Sequence, residues 1–142
     1  MPCQFEITDK EAAWERSIEG MKEVAEAAES LGIECCQEVL NRYETYIITD
    51  CREGLEYCRR VGSENVNLLL DTFHMNIEED NIPEAIRLAG RKLGHLHVGE
   101  SNRKLPGMGS LPWRDIGRAL RDIGYEKGVV MEPFLLQGGE VA

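Results

Sequence analysis

The sequence is poor in basic residues and contains no long apolar run. Lys and Arg total 16 residues against 26 Asp and Glu, which gives a formal net charge of −10. This excess of negative charge disfavours a nucleic-acid backbone or an anionic membrane as partner. No apolar stretch approaches the roughly 20 residues of a membrane span, and the N-terminus lacks the basic region and apolar core of a secretory signal. We therefore expect a cytoplasmic protein.

Cysteine is present but lacks the pattern of a disulfide framework or a zinc site. The five cysteines are odd in number and show no C-x-x-C spacing, which predicts reduced, buried thiols. They are Cys3, Cys35, Cys36, Cys51 and Cys58.

Hydrophobic patterning predicts four strands that alternate with four helices. Short apolar runs at residues 33–40, 66–70, 93–99 and 129–134 predict the strands. Apolar residues spaced by three and four predict helices after a capping box of Thr8 and Glu11, after Asp50, around Pro83 and from Trp113. Residues 76–80 are too polar and too few for a core helix. This alternation is typical of a parallel sheet, and residues 1–142 are expected to form a single α/β domain.

An ionisable residue lies near the end of each predicted strand. In parallel α/β folds, catalytic groups collect where the strands end, and the four residues here are Glu38, Asp71, His97 and Glu132. Three carboxylates and one imidazole suit Mn²⁺, Co²⁺ or Mg²⁺. Without a cation, their repulsion and desolvation would raise a pKa or destabilise the fold. Spacing alone leaves a second interpretation open, because acidic residues at strand ends also cap helices.

Two more histidines lie close to these strand ends. His95 precedes His97 by two residues and shares its face of the strand one layer deeper, which favours a hydrogen-bonded core histidine. His74 lies beyond its strand end, where a role beside the metal or toward a substrate and a plain surface-loop position are equally open.

Four ordered motifs resemble the ketose 3-epimerases, the D-tagatose and D-psicose (allulose) 3-epimerase family. These motifs are EVLNRYE at residues 38–44, DTFHMNIEE at 71–79, HLHVGESNRKLPG at 95–107 and MEPF at 131–134. The resemblance implies a sugar-isomerase-like (β/α)8 TIM barrel, of which this chain matches only the C-terminal half. The expected fold is therefore a parallel-stranded half of such a barrel.

The resemblance also implies a site and a reaction. In that family, residues matching Glu38, Asp71, His97 and Glu132 bind a divalent metal, commonly Mn²⁺ or Co²⁺. Residues matching Glu44, His74 and Arg103 hold the O1 and O2 end of the ketose. The metal polarises the sugar oxygens and stabilises a cis-enediolate, while the two glutamates act as acid and base and invert C3. The implied activity is that of an isomerase of carbohydrate metabolism, with no organic cofactor.

Three functions remain open on these grounds. The chain is a metal-dependent ketose 3-epimerase, an aldose–ketose isomerase of the same barrel superfamily, or a noncatalytic half-barrel fragment that binds metal. A half-barrel would leave strand edges unpaired and its inner face exposed. We therefore expect either self-association or a missing N-terminal half-barrel as partner, beside a small-molecule ketose.

Overall fold

A computed structural model describes residues 9–134, in which parallel strands alternate with helices. The elements in chain order are α1 (Lys10–Leu31), β1 (Cys35–Glu38), α2 (Cys51–Val61), β2 (Val66–Asp71), α3 (Thr72–Glu78), α4 (Ile82–Ala89), a 3-10 turn (Gly90–Lys92), β3 (Leu93–Val98), α5 (Trp113–Asp122) and β4 (Val129–Met131). The predicted strands are confirmed, although β1 and β4 are shorter than their apolar runs.

The four strands form one parallel sheet in the order β1-β2-β3-β4. Asp71 pairs with His97 and Val98 pairs with Met131, so these strands end at one edge of the sheet. Sequential parallel strands joined by helices are the repeating unit of a TIM barrel. The predicted half-barrel is therefore confirmed.

Helix α1 begins one residue later than its predicted capping box would place it. Asp9 is the N-cap, and its side chain accepts a hydrogen bond from the backbone N–H of Ala12. Thr8 lies outside the described residues. The other predicted cap is confirmed, since Asp50 Oδ1 accepts from the N–H of Glu53 at the start of α2. Between residues 9 and 134, no helix has both the length and the apolar character of a membrane span.

The four predicted helices do not include α3 (Thr72–Glu78), because residues 76–80 were expected to be too polar and too few for a core helix. The helix starts at Thr72, directly after β2, because Asp71 caps it through a 2.8 Å hydrogen bond from the N–H of Phe73. It buries Thr72, His74 and Met75. Residues 76–78 form its last turn, in which Asn76 is exposed and Glu78 is half-buried. Their polarity therefore does not bear on the buried first turn.

The core lies between the sheet and the outer helices. Val66, Leu68 and Leu70 of β2 are fully buried, and strand alternation turns Asn67, Leu69 and Asp71 to the opposite face. That inner face carries polar groups toward the end of each strand. The outer face therefore supplies most of the hydrophobic burial, and the inner face is left to the site.

The four described cysteines are free thiols, as predicted. Cys51 and Cys58 are buried, whereas Cys35 and Cys36 are half-buried. Burial raises the pKa of Cys51 to about 12 and that of Cys58 to about 11, because a thiolate is poorly solvated in the core. Cys3 lies outside the described residues.

The surroundings of two glycines predict opposite effects of a Gly→Ala substitution on the free energy of unfolding. A Cβ at Gly94 of β3 would lie 2.5 Å from Cys36 Sγ and 2.8 Å from Asn67 Cβ, whereas one at Gly20 of α1 would meet nothing within 4 Å. We expect Gly94→Ala to lower the free energy of unfolding by about 1–3 kcal/mol through overpacking. Gly20→Ala should raise it by about 1 kcal/mol through helix propensity. Urea unfolding measures both, and equal effects would contradict the packing of β3 against its neighbours.

Candidate metal centre

Four side chains converge where the strands end. Glu38, Asp71, His97 and Glu132 each offer one ligand atom, and these atoms all lie within 4.8 Å of one another. Glu38 and Asp71 are the last residues of β1 and β2, His97 lies in β3, and Glu132 directly follows β4. The structure thus brings together all four residues of the predicted ligand set.

The imidazole of His97 faces the two glutamates. Its Nδ1 lies 3.8 Å from Glu38 Oε1 and 3.4 Å from Glu132 Oε2. This nitrogen is buried and has no hydrogen-bond partner among residues 9–134. A buried ring nitrogen aimed at carboxylates, without a partner of its own, fits a metal ligand.

Asp71 has both of its oxygens committed. Oδ1 caps helix α3 through the N–H of Phe73, and Oδ2 accepts a 2.8 Å hydrogen bond from Arg103 Nη1. The carboxylate is completely buried. An acidic residue at a strand end was expected to be either a metal ligand or a helix cap. Asp71 fits both, because one oxygen caps helix α3 and the other faces the site.

Burial and neighbouring carboxylates act together on Glu38. Desolvation is the largest influence and raises the pKa of Glu38, and the negative charges of Glu132 and Asp71 raise it further. His97 and Arg103 oppose this shift. The three carboxylates lie against one guanidinium and one imidazole, and a buried group of carboxylates with few neighbouring cations is a property of sites that bind divalent cations.

Arg103 is the cation that contacts this cluster directly. Its Nη1 donates to Asp71 Oδ2, and its Nη2 donates to Glu132 Oε2 at 2.6 Å. The guanidinium lies between two rings, with Cζ 4.5 Å from the Phe73 centroid and 4.3 Å from that of Phe134. Stacking and paired hydrogen bonds fix the plane of the guanidinium. Arg103 therefore joins the loop after β3 to the ends of β2 and β4.

His74 is buried, with 2% of its surface exposed, so the surface-loop interpretation is wrong. Its Nδ1 accepts from the backbone N–H of Asn41 at 3.3 Å, and its Nε2 lies 4.0 Å from Asp71 Oδ2. Burial is the main influence that lowers the pKa of His74, which favours the neutral ring. Because Nδ1 accepts, the neutral ring carries its proton on Nε2 and points it toward the site.

Glu44 lies beside the same histidine. Its Oε1 accepts a 2.9 Å hydrogen bond from Asn41 Nδ2 and lies 3.8 Å from His74 Nδ1. The side chain is 43% exposed. Glu44, His74 and Arg103, the three residues expected to hold the sugar, therefore lie around one end of the sheet.

His95 does not have the expected place in the core. It is only half-buried, and its ring meets that of His97 edge-on at 5.1 Å. The prediction of a core histidine is wrong, since the ring keeps part of its surface exposed to solvent.

Sequence reasoning missed two polar residues that support the site. Asn41 is 1% exposed and links His74 to Glu44. Glu100 is fully buried. Asn41 follows the end of β1 by three residues, and Glu100 follows the end of β3 by two. Their position just after a strand indicates a place near the site. Their burial depends on the conformation of the following loops, which the sequence pattern does not predict.

The ligand set fits a divalent cation. Three carboxylates and one imidazole are hard to borderline donors, and they suit Mn²⁺, Co²⁺ or Mg²⁺ better than a thiolate-preferring ion. The described cysteines do not belong to the cluster.

Comparison with known proteins connects this arrangement to sugar epimerases. Residues 3–139 match the xylose isomerase-like TIM barrel family. The D-psicose 3-epimerase of Ruminiclostridium cellulolyticum is 57% identical, and the match covers 94% of this chain and 45% of that relative. The L-ribulose 3-epimerase of Mesorhizobium japonicum is 40% identical, and the match covers 85% of this chain and 41% of that relative. The crystal structure of D-psicose 3-epimerase with D-tagatose from Clostridium cellulolyticum H10 superposes with a TM-score of 0.92 at 55% identity, over 99% of this chain and 49% of that one. The chain thus spans about half the length of the relatives it matches.

A matched pair of aspartate variants tests the metal centre. Asp71→Asn removes an anionic ligand from the buried cluster, and Asp80→Asn makes the same change at an exposed position. We expect Asp71→Asn to weaken Mn²⁺ binding by at least about 100-fold, because even residues behind metal ligands contribute 10–100-fold. Asp80→Asn should leave binding unchanged. Titration followed by electron paramagnetic resonance of free Mn²⁺ measures both, and equal affinities would contradict the site.

Proposed function

This chain belongs to the xylose isomerase-like TIM barrel family, and we propose that it carries the metal and acid–base groups of a ketose 3-epimerase. The substrate would be a free ketohexose, inverted at C3. The observation that carries the proposal is the convergence of Glu38, Asp71, His97 and Glu132 in a chain similar to D-psicose and L-ribulose 3-epimerases. Residence in the cytoplasm is part of the same proposal.

In this proposal the two glutamates exchange a proton with one carbon of the sugar. Glu38 and Glu132 end separate strands, β1 and β4, yet each has an oxygen within 4.8 Å of the other. One carboxylate would take the proton from C3, and the electron pair would pass to the C2 oxygen as a cis-enediolate. The other, as a carboxylic acid, would return a proton to the opposite face. C3 is then inverted, and no electron leaves the sugar.

The remaining residues hold the sugar and the cation. Glu38, Asp71, His97 and Glu132 would bind Mn²⁺ or Co²⁺, with Mg²⁺ as a further candidate. When bound, the cation supplies Lewis acidity that makes the C3 proton easier to remove. Arg103 would donate to the O1 and O2 end from its fixed planar fork, the Nε2–H of His74 would donate beside it, and Glu44 would accept from a sugar hydroxyl.

Two other functions use the same residues. An aldose–ketose isomerase would move the carbonyl between C2 and C1 with the same metal set. A noncatalytic half-barrel would bind metal without turnover. The observation that favours this function is that the chain spans only about half the length of its relatives.

Deuterium incorporation distinguishes the three functions. The Mn²⁺-loaded chain is incubated with D-fructose in D₂O, and the products are separated by chromatography and examined by NMR. An epimerase yields D-psicose with deuterium at C3, because the returned proton comes from a group that exchanges with solvent. Glu132→Gln should lower the rate by at least about 100-fold, within the range of general acid–base catalysis.

The control is Glu23→Gln on the exposed face of α1, which should retain the wild-type rate. An aldose product with deuterium at C1 or C2 would support the isomerase instead. Metal binding without any product would support the noncatalytic half-barrel. Equal rates for wild type and Glu132→Gln would contradict the acid–base assignment.

We also propose that four further parallel strands complete the barrel. Among the described residues, β4 pairs only with β3, and its three residues are exposed together with Phe134. An open apolar edge strand favours pairing with another strand. The second half would come from another copy of this chain or from the N-terminal half of a longer polypeptide, and residues 1–142 would act as one barrel segment.

Sedimentation velocity at micromolar concentration tests barrel completion. If a second copy supplies the strands, the chain sediments as a dimer of about twice 16.0 kDa. Val130→Lys at the edge strand should then shift the distribution toward monomer, because a charge at a paired edge opposes pairing. Val24→Lys is the matched control, since Val24 is exposed to a similar degree on α1, 53% against 46% for Val130.

Strands supplied by a longer polypeptide would give a different sedimentation distribution. If a longer polypeptide supplies them, the chain alone forms mixed aggregates and becomes homogeneous when mixed with the N-terminal half of a similar epimerase. A soluble, homogeneous monomer that ignores the added half would contradict barrel completion from either source.

A further inference from the structure

Glu100 is a fully buried carboxylate that has no part in the proposed chemistry. It lies two residues after the end of β3 and is 0% exposed. Its two oxygens accept hydrogen bonds from N–H donors spread over the loop that follows. These donors are the backbone N–H of Ser101 at 3.1 Å, Gly107 at 2.9 Å and Leu111 at 3.2 Å, and Nε1 of Trp113.

These donors keep the carboxylate charged inside the protein. Burial by itself would raise the pKa of Glu100, but the hydrogen bonds from Trp113 and the backbone outweigh it, and the pKa lies below its ordinary value. A buried charge without such donors would be strongly unfavourable. The loop is therefore wrapped around an anion.

Gly109 shows how closely the loop approaches this carboxylate. A Cβ at Gly109 would overlap Oε2 and Cδ of Glu100. Any larger residue would push either the carboxylate or the loop out of place. The loop can therefore pack this closely against the Glu100 carboxylate only because residue 109 is a glycine.

The same residue is tied to Arg103 through the backbone. The N–H of Arg103 donates to the carbonyl of Glu100 at 2.8 Å, and the N–H of Glu100 donates to the carbonyl of Lys104 at 3.0 Å. Within this turn, Arg103 has a φ of +61°, a left-handed conformation that is uncommon outside glycine. The surrounding hydrogen bonds therefore have to hold it.

We propose that Glu100 is a positioning residue that fixes the loop of residues 100–113 and thereby places the Arg103 guanidinium over the site. Its carboxylate holds the far part of the loop, and its backbone holds the turn that carries Arg103. The inference rests on the proposed function, in which Arg103 donates to the sugar. It adds a residue that never touches the substrate yet determines where the donor lies.

The first test needs no turnover. Hydrogen–deuterium exchange is measured on the Mn²⁺-loaded full chain for wild type, Glu100→Gln and the exposed control Glu23→Gln. We expect the amides of residues 101–111, including that of Arg103, to exchange at least about tenfold faster in Glu100→Gln, because an amide group cannot accept from all four donors. Amides of β2 should be unchanged. Unchanged exchange at Arg103 would overturn the proposal.

The second test is a double-mutant cycle on epimerisation. Glu100→Gln should lower kcat/KM by about 100-fold, the effect of a small misplacement of a positioning group. In the Arg103→Lys background the same change should cost less than about tenfold, because lysine lacks the planar fork that has to be placed. An equal loss in both backgrounds would show a general structural role and would overturn the proposal.

A second variant reaches the same arrangement without changing Glu100. Gly109→Ala should reproduce both the faster exchange at Arg103 and the loss of kcat/KM. Normal exchange and activity in this variant would count against the proposal. If the wild type shows no epimerisation, the proposed function fails on its own, and exchange at Arg103 still decides the role of Glu100.

Discussion

Repulsion among carboxylates at one edge of a parallel sheet is the constraint on which the rest of this structure depends. Parallel strands end on the same side, so Glu38, Asp71 and Glu132 are forced together by the fold itself. Their charges must be compensated or one of them must be protonated. The imidazole of His97 and the guanidinium of Arg103 lie against these carboxylates, and burial, followed by the charges of Glu132 and Asp71, raises the pKa of Glu38.

Support for the cluster comes from the segments that follow the strands. The loop after β1 brings Asn41 to His74, and the loop after β3 brings Arg103 to Asp71 and Glu132. Helix α3 begins at Asp71 itself, so the residue that faces the site also starts the helix that carries His74. Asp71, His74 and Glu132 are therefore each held by a hydrogen bond from another segment of the chain.

One face of the sheet packs into the hydrophobic core, and the other face carries the residues of the site. The outer face of β2 packs Val66, Leu68 and Leu70 into the core, which stabilises the described part of the chain. The inner face carries His95 and His97, and His95 remains half-exposed there. Together with the exposed β4, this open face is where a second set of strands would pack in a complete barrel.

The sequence by itself determined the alternation of strands with helices and the parallel sheet, because these depend on local periodicity and on where apolar runs end. The resemblance of its motifs to the ketose 3-epimerases added the half-barrel and favoured the four residues that converge. Helix α3, the burial of His74, the contacts of Arg103 and the environment of Glu100 were decided only by the tertiary structure. Each depends on pairs far apart in the chain, such as Asn41 with His74 or Asp71 with Arg103. No local pattern encodes such pairs, since loop conformation and long-range packing fix which polar groups are removed from water.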